Sequence, residues 1–225
     1  TDVFLSDYMK KDMLEKGRAT VSFKKDEPVP IWTGKKDDAE HPYQRYEVKA
    51  TDLTHALKVA QDSYKAEKAA ERAAAKDGVT IWMQSGYRSV SYQKKLYDNK
   101  TQYYRNKGLS EAAAREKAAA IVNPPGCSEH NCGLAADLNS PEHTTLDTGF
   151  ADTAAFRWLC ENAEQYGFIL RYPKEAESVT GITYEPWHWR YVGPENAALL
   201  NRSGLCLEDA VAVLQRIAAG ETVIS

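Results

Sequence analysis

The chain has no run of apolar residues approaching the ~18 that would argue for a helix through a bilayer, so no membrane span is expected in it. It has no basic excess either. Lysine and arginine number 29 against 32 acidic residues, a net charge of -3, which removes the electrostatic case for nucleic acid or an anionic membrane as partner. Four cysteines in 225 residues are too few for a small disulfide scaffold. No internal repeat is present, and no low-complexity linker follows residue 50. The chain opens on Thr1 without a secretory apolar region, which leads to the expectation of a processed or truncated product. What remains is an ordinary globular composition, 43% hydrophobic and 27% charged, long enough to bury a large core.

Residues 1–50 read as an irregular segment, with Pro28, Pro30, Gly34, Pro42 and the charged stretch "GKKDDAEHP". Residues 51–225 read as one domain. A long helix capped at Thr51 or Asp52 runs to Gly78, with Leu53, Ala56, Leu57, Ala60 and Tyr64 on its apolar face. "VTIWMQS" is a strand candidate. A second helical region spans about Ser91 to Val122, with a break at Gly108, and stops before "NPPG". "LAADL" reads as a buried strand, and "DTAAFRWLCENAEQYG" as a helix capped by Asp152 and ended by Gly167. "FILRYP", the strand "TYEPWHWRYVG" and a last helix through "LEDAVAVLQRIAAG" complete the chain. Helices interspersed with short strands point to an α+β fold, a small sheet covered by helices.

Two stretches carry titratable groups among apolar neighbours. In "GCSEHNCGLAADL", strand alternation puts Ala135, Asp137 and Asn139 on one face. A lone buried aspartate needs a cation or hydrogen-bond donors, and by itself Asp137 reads as a structural pair with an arginine or backbone. In "TYEPWHWRYV", Glu185 and His188 would fall on opposite faces of a regular strand. They reach one site only if the chain turns or bulges near Pro186. The plainer alternative is an edge strand with a solvated glutamate and a wedged histidine. His41, His55 and His143 read as surface or helix histidines.

Ser128, His130, Gly133, Ala135 and Asp137 match S-x-H-x-x-G-x-A-x-D, and Glu185, Trp187 and His188 match E-x-W-H. "SGYRSVSYQ", residues 85–93, supplies Y-R-S-x-x-x-Q. In this order the three motifs resemble the VanY-type D-alanyl-D-alanine carboxypeptidases, which share the hedgehog/D-Ala-D-Ala-peptidase fold, over roughly residues 50–215. The resemblance implies a zinc ion (Zn2+) held by His130, Asp137 and His188, with one coordination position left open. It implies Glu185 as general base and Arg88 as the carbonyl-polarising group. Ser128 and Gln93 are implied at the substrate's C-terminal carboxylate. Without the resemblance, Arg88 and Gln93 are an exposed helix-start arginine and an ordinary first-turn residue.

The expected activity is removal of a C-terminal D-alanine from bacterial peptidoglycan stem peptides, by an extracytoplasmic, monomeric enzyme. An L,D-carboxypeptidase acting on tetrapeptide stems is the alternative within the class. A catalytically silent cell-wall-binding module is an alternative outside it, disfavoured because the base position is retained as Glu185. A cysteine hydrolase using Cys127 or Cys132 would need a histidine free of metal. For that cysteine pair a disulfide is the first expectation, free thiols the second and a metal knuckle the last. Cys160 and Cys206 are expected as core thiols, though a bridge between them is an open alternative.

Overall fold

Helix-forming and strand-forming stretches separate cleanly in the computed structural model, which describes residues 28–32 and 45–219. The described residues form two compact units, those up to residue 65 with 86–134, and residues 66–85 with 135–219. The elements are β1 (Pro28–Trp32), β2 (Arg45–Lys49), α1 (Ala50–Lys76), β3 (Trp82–Ser85), α2 (Val90–Asn106), α3 (Glu111–Ala119) and β4 (Ala135–Asn139). After them come α4 (Ala154–Asn162), β5 (Phe168–Leu170), α5 (Glu177–Thr180), β6 (His188–Tyr191), α6 (Pro194–Ser203) and α7 (Leu207–Ala218).

In the first unit, β1 and β2 pair antiparallel, inside the segment expected to be irregular. Pro28 and Pro30 hid the strand, yet each strand of a two-stranded hairpin is an edge, where proline is tolerated. α1 begins at Ala50, ahead of the expected caps Thr51 and Asp52. The side chains of 50–57, His55 among them, lie outside the described residues, as does His41. Ser89 caps α2 by accepting from the Tyr92 N–H, and Ser110 caps α3 through the Ala113 N–H. Between them the chain turns at Gly108, φ +91°, the break foreseen from the sequence. Tyr97, Tyr104, Ala114 and Ala118 form the apolar core of this helical pair.

In the second unit, four antiparallel strands lie in the order β3-β4-β6-β5. All five residues of the central strand β4 are buried, so its polar face is enclosed along with its apolar one. Ala136, Leu138, Trp158, Leu159, Phe168 and Trp189 are the heart of the core. Thr153, not Asp152, caps α4, its hydroxyl accepting from the Phe156 N–H at 3.0 Å. Asp152 ends the preceding 3-10 turn. Gly167 has φ +83°, and a Cβ there would meet the Gly193 backbone at 2.8 Å. Only glycine fits.

The buried face of α1 in this unit contains a charge. Glu67 is 2% exposed, facing a small cavity walled by Ala70, Ile81, Leu138, Leu159 and Phe168. Burial, reinforced by the hydrogen bond and charge of Glu71, raises its carboxyl from 4.5 to about 8. Lys68 offsets part of this, with Nζ 3.3 Å from Glu67 and 2.7 Å from Glu71. Although burial opposes it, Glu71 is held low by hydrogen bonds to Glu67, Lys68 and the Met83 N–H. Between pH 4.5 and about 8 the folded chain therefore keeps a proton on Glu67 that the unfolded chain has released. The stability this proton confers is fully present below that window and is lost as pH rises through it. Unfolding titrations are expected to show the loss with a slope approaching ~1.4 kcal/mol per pH unit. Glu67→Gln should flatten that slope relative to the parent; an unchanged slope would contradict the assignment.

Candidate active site

In the first unit, the 3-10 turn Glu129–Cys132 carries His130, which is 2% exposed. Ser128 starts the turn, its hydroxyl accepting the His130 N–H at 3.3 Å. Gly133 ends it at φ +73°, where a Cβ would meet that of Ala60 at 3.1 Å. The imidazole is oriented from behind: Nδ1 lies 2.7 Å from the Gly86 carbonyl oxygen. A carbonyl only accepts, so Nδ1 donates, and the neutral ring keeps its lone pair on Nε2, the arrangement typical of a metal-ligating histidine.

Arg88 is tied to the same turn. Its N–H donates to the His130 carbonyl at 3.0 Å, and its carbonyl accepts from Asn131 Nδ2 at 2.6 Å. Asn131 Oδ1 in turn accepts the Gly126 N–H at 3.1 Å. The guanidinium donates to Gln93 Oε1 at 2.9 Å, and Gln93 Nε2 donates to the Asn123 carbonyl at 2.6 Å. Gln93 is 1% exposed, so it is the orienting partner of Arg88 rather than an ordinary first-turn residue.

In the second unit, the strand foreseen over "TYEPWHWRYVG" begins only at His188. Residues 185–188 form a turn closed by the His188 N–H on the Glu185 carbonyl at 3.1 Å. The turn at Pro186 resolves the facing problem. Register places Asp137 of β4 opposite His188 of β6. His188 Nδ1 is 3.1 Å from Asp137 Oδ1 and 3.5 Å from Glu185 Oε2. Beside Asp137, for which an arginine or backbone partner was foreseen, the structure places the His188 imidazole.

His130, Asp137 and His188 are all buried, and each offers one ligand atom within 4.8 Å of the others'. Two imidazoles and a carboxylate are a donor set suited to zinc with a position left for water or substrate. Asp137 and Glu185, 3% and 6% exposed, are two acids converging on one imidazole nitrogen. Enclosing them is costly without a cation. The donors fit a divalent metal.

The disulfide ranked first for Cys127 and Cys132 is not formed: all four cysteines are free. Cys132 Sγ donates to the Glu129 carbonyl at 3.0 Å, inside the turn it was expected to staple. Burial pushes the Cys127 thiol up to about 11, the opposite of what a nucleophile needs. Cys160 is exposed and Cys206 half-buried, so neither is the core thiol expected. His143 lies in the turn after β4, its Nε2 2.7 Å from Asp147, apart from the metal group.

Residues 56–194 match the family model described as VanY, D-alanyl-D-alanine carboxypeptidase. The chain belongs to the VanY family. It is 43% identical over 138 residues to a D-alanyl-D-alanine carboxypeptidase of Enterococcus faecalis (strain ATCC 700802 / V583), covering 61% of this chain and 49% of that protein. The chain spans about half the length of this and another curated relative it matches, at 49% and 50%. Among solved structures, VanYB in complex with D-Alanine-D-Alanine is similar, with TM-score 0.59, 34% identity and coverage of 83% of this chain and 93% of that one. The LdcB LD-carboxypeptidase follows, with TM-score 0.58, 33% identity and coverage of 80% and 73%. The α+β fold is therefore the VanY peptidase fold.

Three site features escaped the sequence: the Gly86 carbonyl behind His130, the Asn131 clasp on Arg88, and the Tyr172 carbonyl that accepts the Glu185 N–H at 3.2 Å. The first and third use backbone groups, which no residue type announces; only Asn131 had a side-chain signal, inside the quoted motif. Removing a doubly bonded side chain leaves two half-buried partners unsatisfied, at about 1–3 kcal/mol. Asn131→Ala is expected to lose stability of that order in denaturant unfolding. A variant as stable as the parent would show that the clasp is idle.

Proposed function

We propose that this chain is a zinc D,D-carboxypeptidase that removes the C-terminal D-alanine from peptidoglycan stem peptides outside the cytoplasmic membrane, acting as a monomer through residues 51–225. The observation that carries the reading is the buried group His130, Asp137 and His188 with Glu185 on its border. Family membership over residues 56–194 supports it. Among the described residues no helix is long and apolar enough to cross a membrane, and peptidoglycan lies beyond one.

His130, Asp137 and His188 would hold the metal. Zinc, when bound, supplies a Lewis acid that lowers the pKa of water to about 7 and polarises a carbonyl. Glu185, its backbone fixed by Tyr172, takes the proton of the attacking water on its carboxylate and returns it to the leaving amine of D-alanine. Arg88, steadied by Gln93 and its two main-chain bonds, donates to the carbonyl oxygen as negative charge gathers there. The Ser128 hydroxyl and the second N–H of the Gln93 amide are the donors for the substrate's terminal carboxylate.

A second reading, L,D-carboxypeptidase on tetrapeptide stems, is favoured by the likeness to LdcB, named an LD-carboxypeptidase. Mass spectrometry of the zinc-loaded protein with a mixture of pentapeptide and tetrapeptide stems separates them. Chelator-sensitive loss of D-alanine from the pentapeptide alone is expected. Loss from the tetrapeptide alone would establish the second reading, and cleavage of neither would leave a binding module. Glu185→Ala is expected to keep zinc while turnover falls by about 10²–10⁴-fold, and His188→Ala to lose the metal. Zinc retained in full by His188→Ala would remove that residue from the ligand set.

A further inference from the structure

Arg171 and Tyr172 follow β5, and Glu208 lies in the first turn of α7. None is a ligand or a proton carrier in the reading above, yet they form one chain of contacts ending on His188. Arg171, 8% exposed, donates from Nη1 to Glu208 Oε2 at 2.9 Å and from Nη2 to Oε1 at 2.5 Å. The guanidinium carbon lies 4.8 Å from the centroid of the Tyr172 ring. That ring, 4% exposed, lies 4.8 Å from the imidazole of His188, tilted by 51°. The main chain repeats the grip. The Arg171 N–H donates to the His188 carbonyl at 3.1 Å, and the Tyr172 carbonyl accepts the Glu185 N–H at 3.2 Å.

A buried guanidinium is costly to place, and an apolar side chain of similar volume would often pack as well or better. What the arginine adds is direction. Its planar fork fixes it against Glu208, and its charge sits over the Tyr172 ring. The ring in turn limits rotation of the imidazole about Cβ–Cγ, the freedom a histidine loses when it ligates a metal. We infer that Arg171 and Glu208 are positioning residues for the metal ligand His188, acting through Tyr172 from outside the site.

The inference rests on the zinc reading above. It is tested by zinc affinity, measured in competition with a chromophoric chelator, and by the visible spectrum of the cobalt-substituted protein. Arg171→Met and Tyr172→Leu are expected to weaken zinc about 10- to 100-fold, the usual cost of an outer-shell partner, and to shift the cobalt bands. Tyr172→Phe keeps the ring and should hold zinc more tightly than Tyr172→Leu. Glu208→Gln, at a side chain 35% exposed, should move both readouts in the same direction by less. It carries the test if Arg171→Met does not fold. Parent-like affinity and spectrum in Glu208→Gln and in each of the other two that folds would overturn the inference, even with a lowered melting temperature, and leave the zinc reading intact. A parent that takes up no zinc would overturn both.

Discussion

Asp137 and Glu185 close on the same nitrogen of His188 in a place where neither acid meets much water. Most of the second unit is arranged around making that approach possible. β4 sits between two strands and is buried on both faces, so Asp137 has little water to turn to. The antiparallel register of β4 and β6 fixes His188 opposite it. The turn at Pro186 then folds Glu185 back, held by the Tyr172 carbonyl at one end and the His188 N–H at the other. A regular strand would have put Glu185 on the far face. A divalent cation is the natural compensation for two enclosed acids and two imidazoles, and it turns a folding cost into a Lewis-acid site.

The first unit solves a different problem, holding a histidine and an arginine on a short turn. His130 is oriented by a carbonyl and Arg88 by both main-chain groups and by Gln93. A loop built this way loses little freedom when substrate arrives, which is where preorganised donors gain their catalytic value. Gly133 matters for the same reason. Its positive φ lets the turn end directly after His130 and Cys132, so that β4 can begin at Ala135.

Local signals in the sequence were faithful at glycine breaks and less so at helix starts, where Thr153 caps α4 in place of Asp152. Gly108 breaks the second helical region as foreseen, while α2 starts at Val90 under a Ser89 cap, just ahead of the start expected near Ser91. The motif around His130 and the one around His188 named three residues that the structure places within ligand distance of one another, a group that could hold a metal. Longer-range features were illegible. Glu67 stands at a helical position flanked by charges and looks solvated, yet α1 turns it into the core. Arg171 and Glu208 are 37 residues apart, and nothing in either neighbourhood names the other. The hairpin of β1 and β2 was masked by its prolines. The pairing of Cys127 with Cys132 followed from proximity in sequence, whereas the turn gives the Cys132 thiol a carbonyl partner instead.

The central claim is that two histidines and one aspartate, with no cysteine, form the metal site. X-ray absorption at the zinc edge on the zinc-loaded protein tests it most directly. The account predicts a shell of nitrogen and oxygen ligands at about 2.0–2.1 Å with imidazole scattering and no sulfur. A zinc–sulfur distance of about 2.3 Å would contradict it, placing Cys127 or Cys132 on the metal in place of the His130, Asp137 and His188 set.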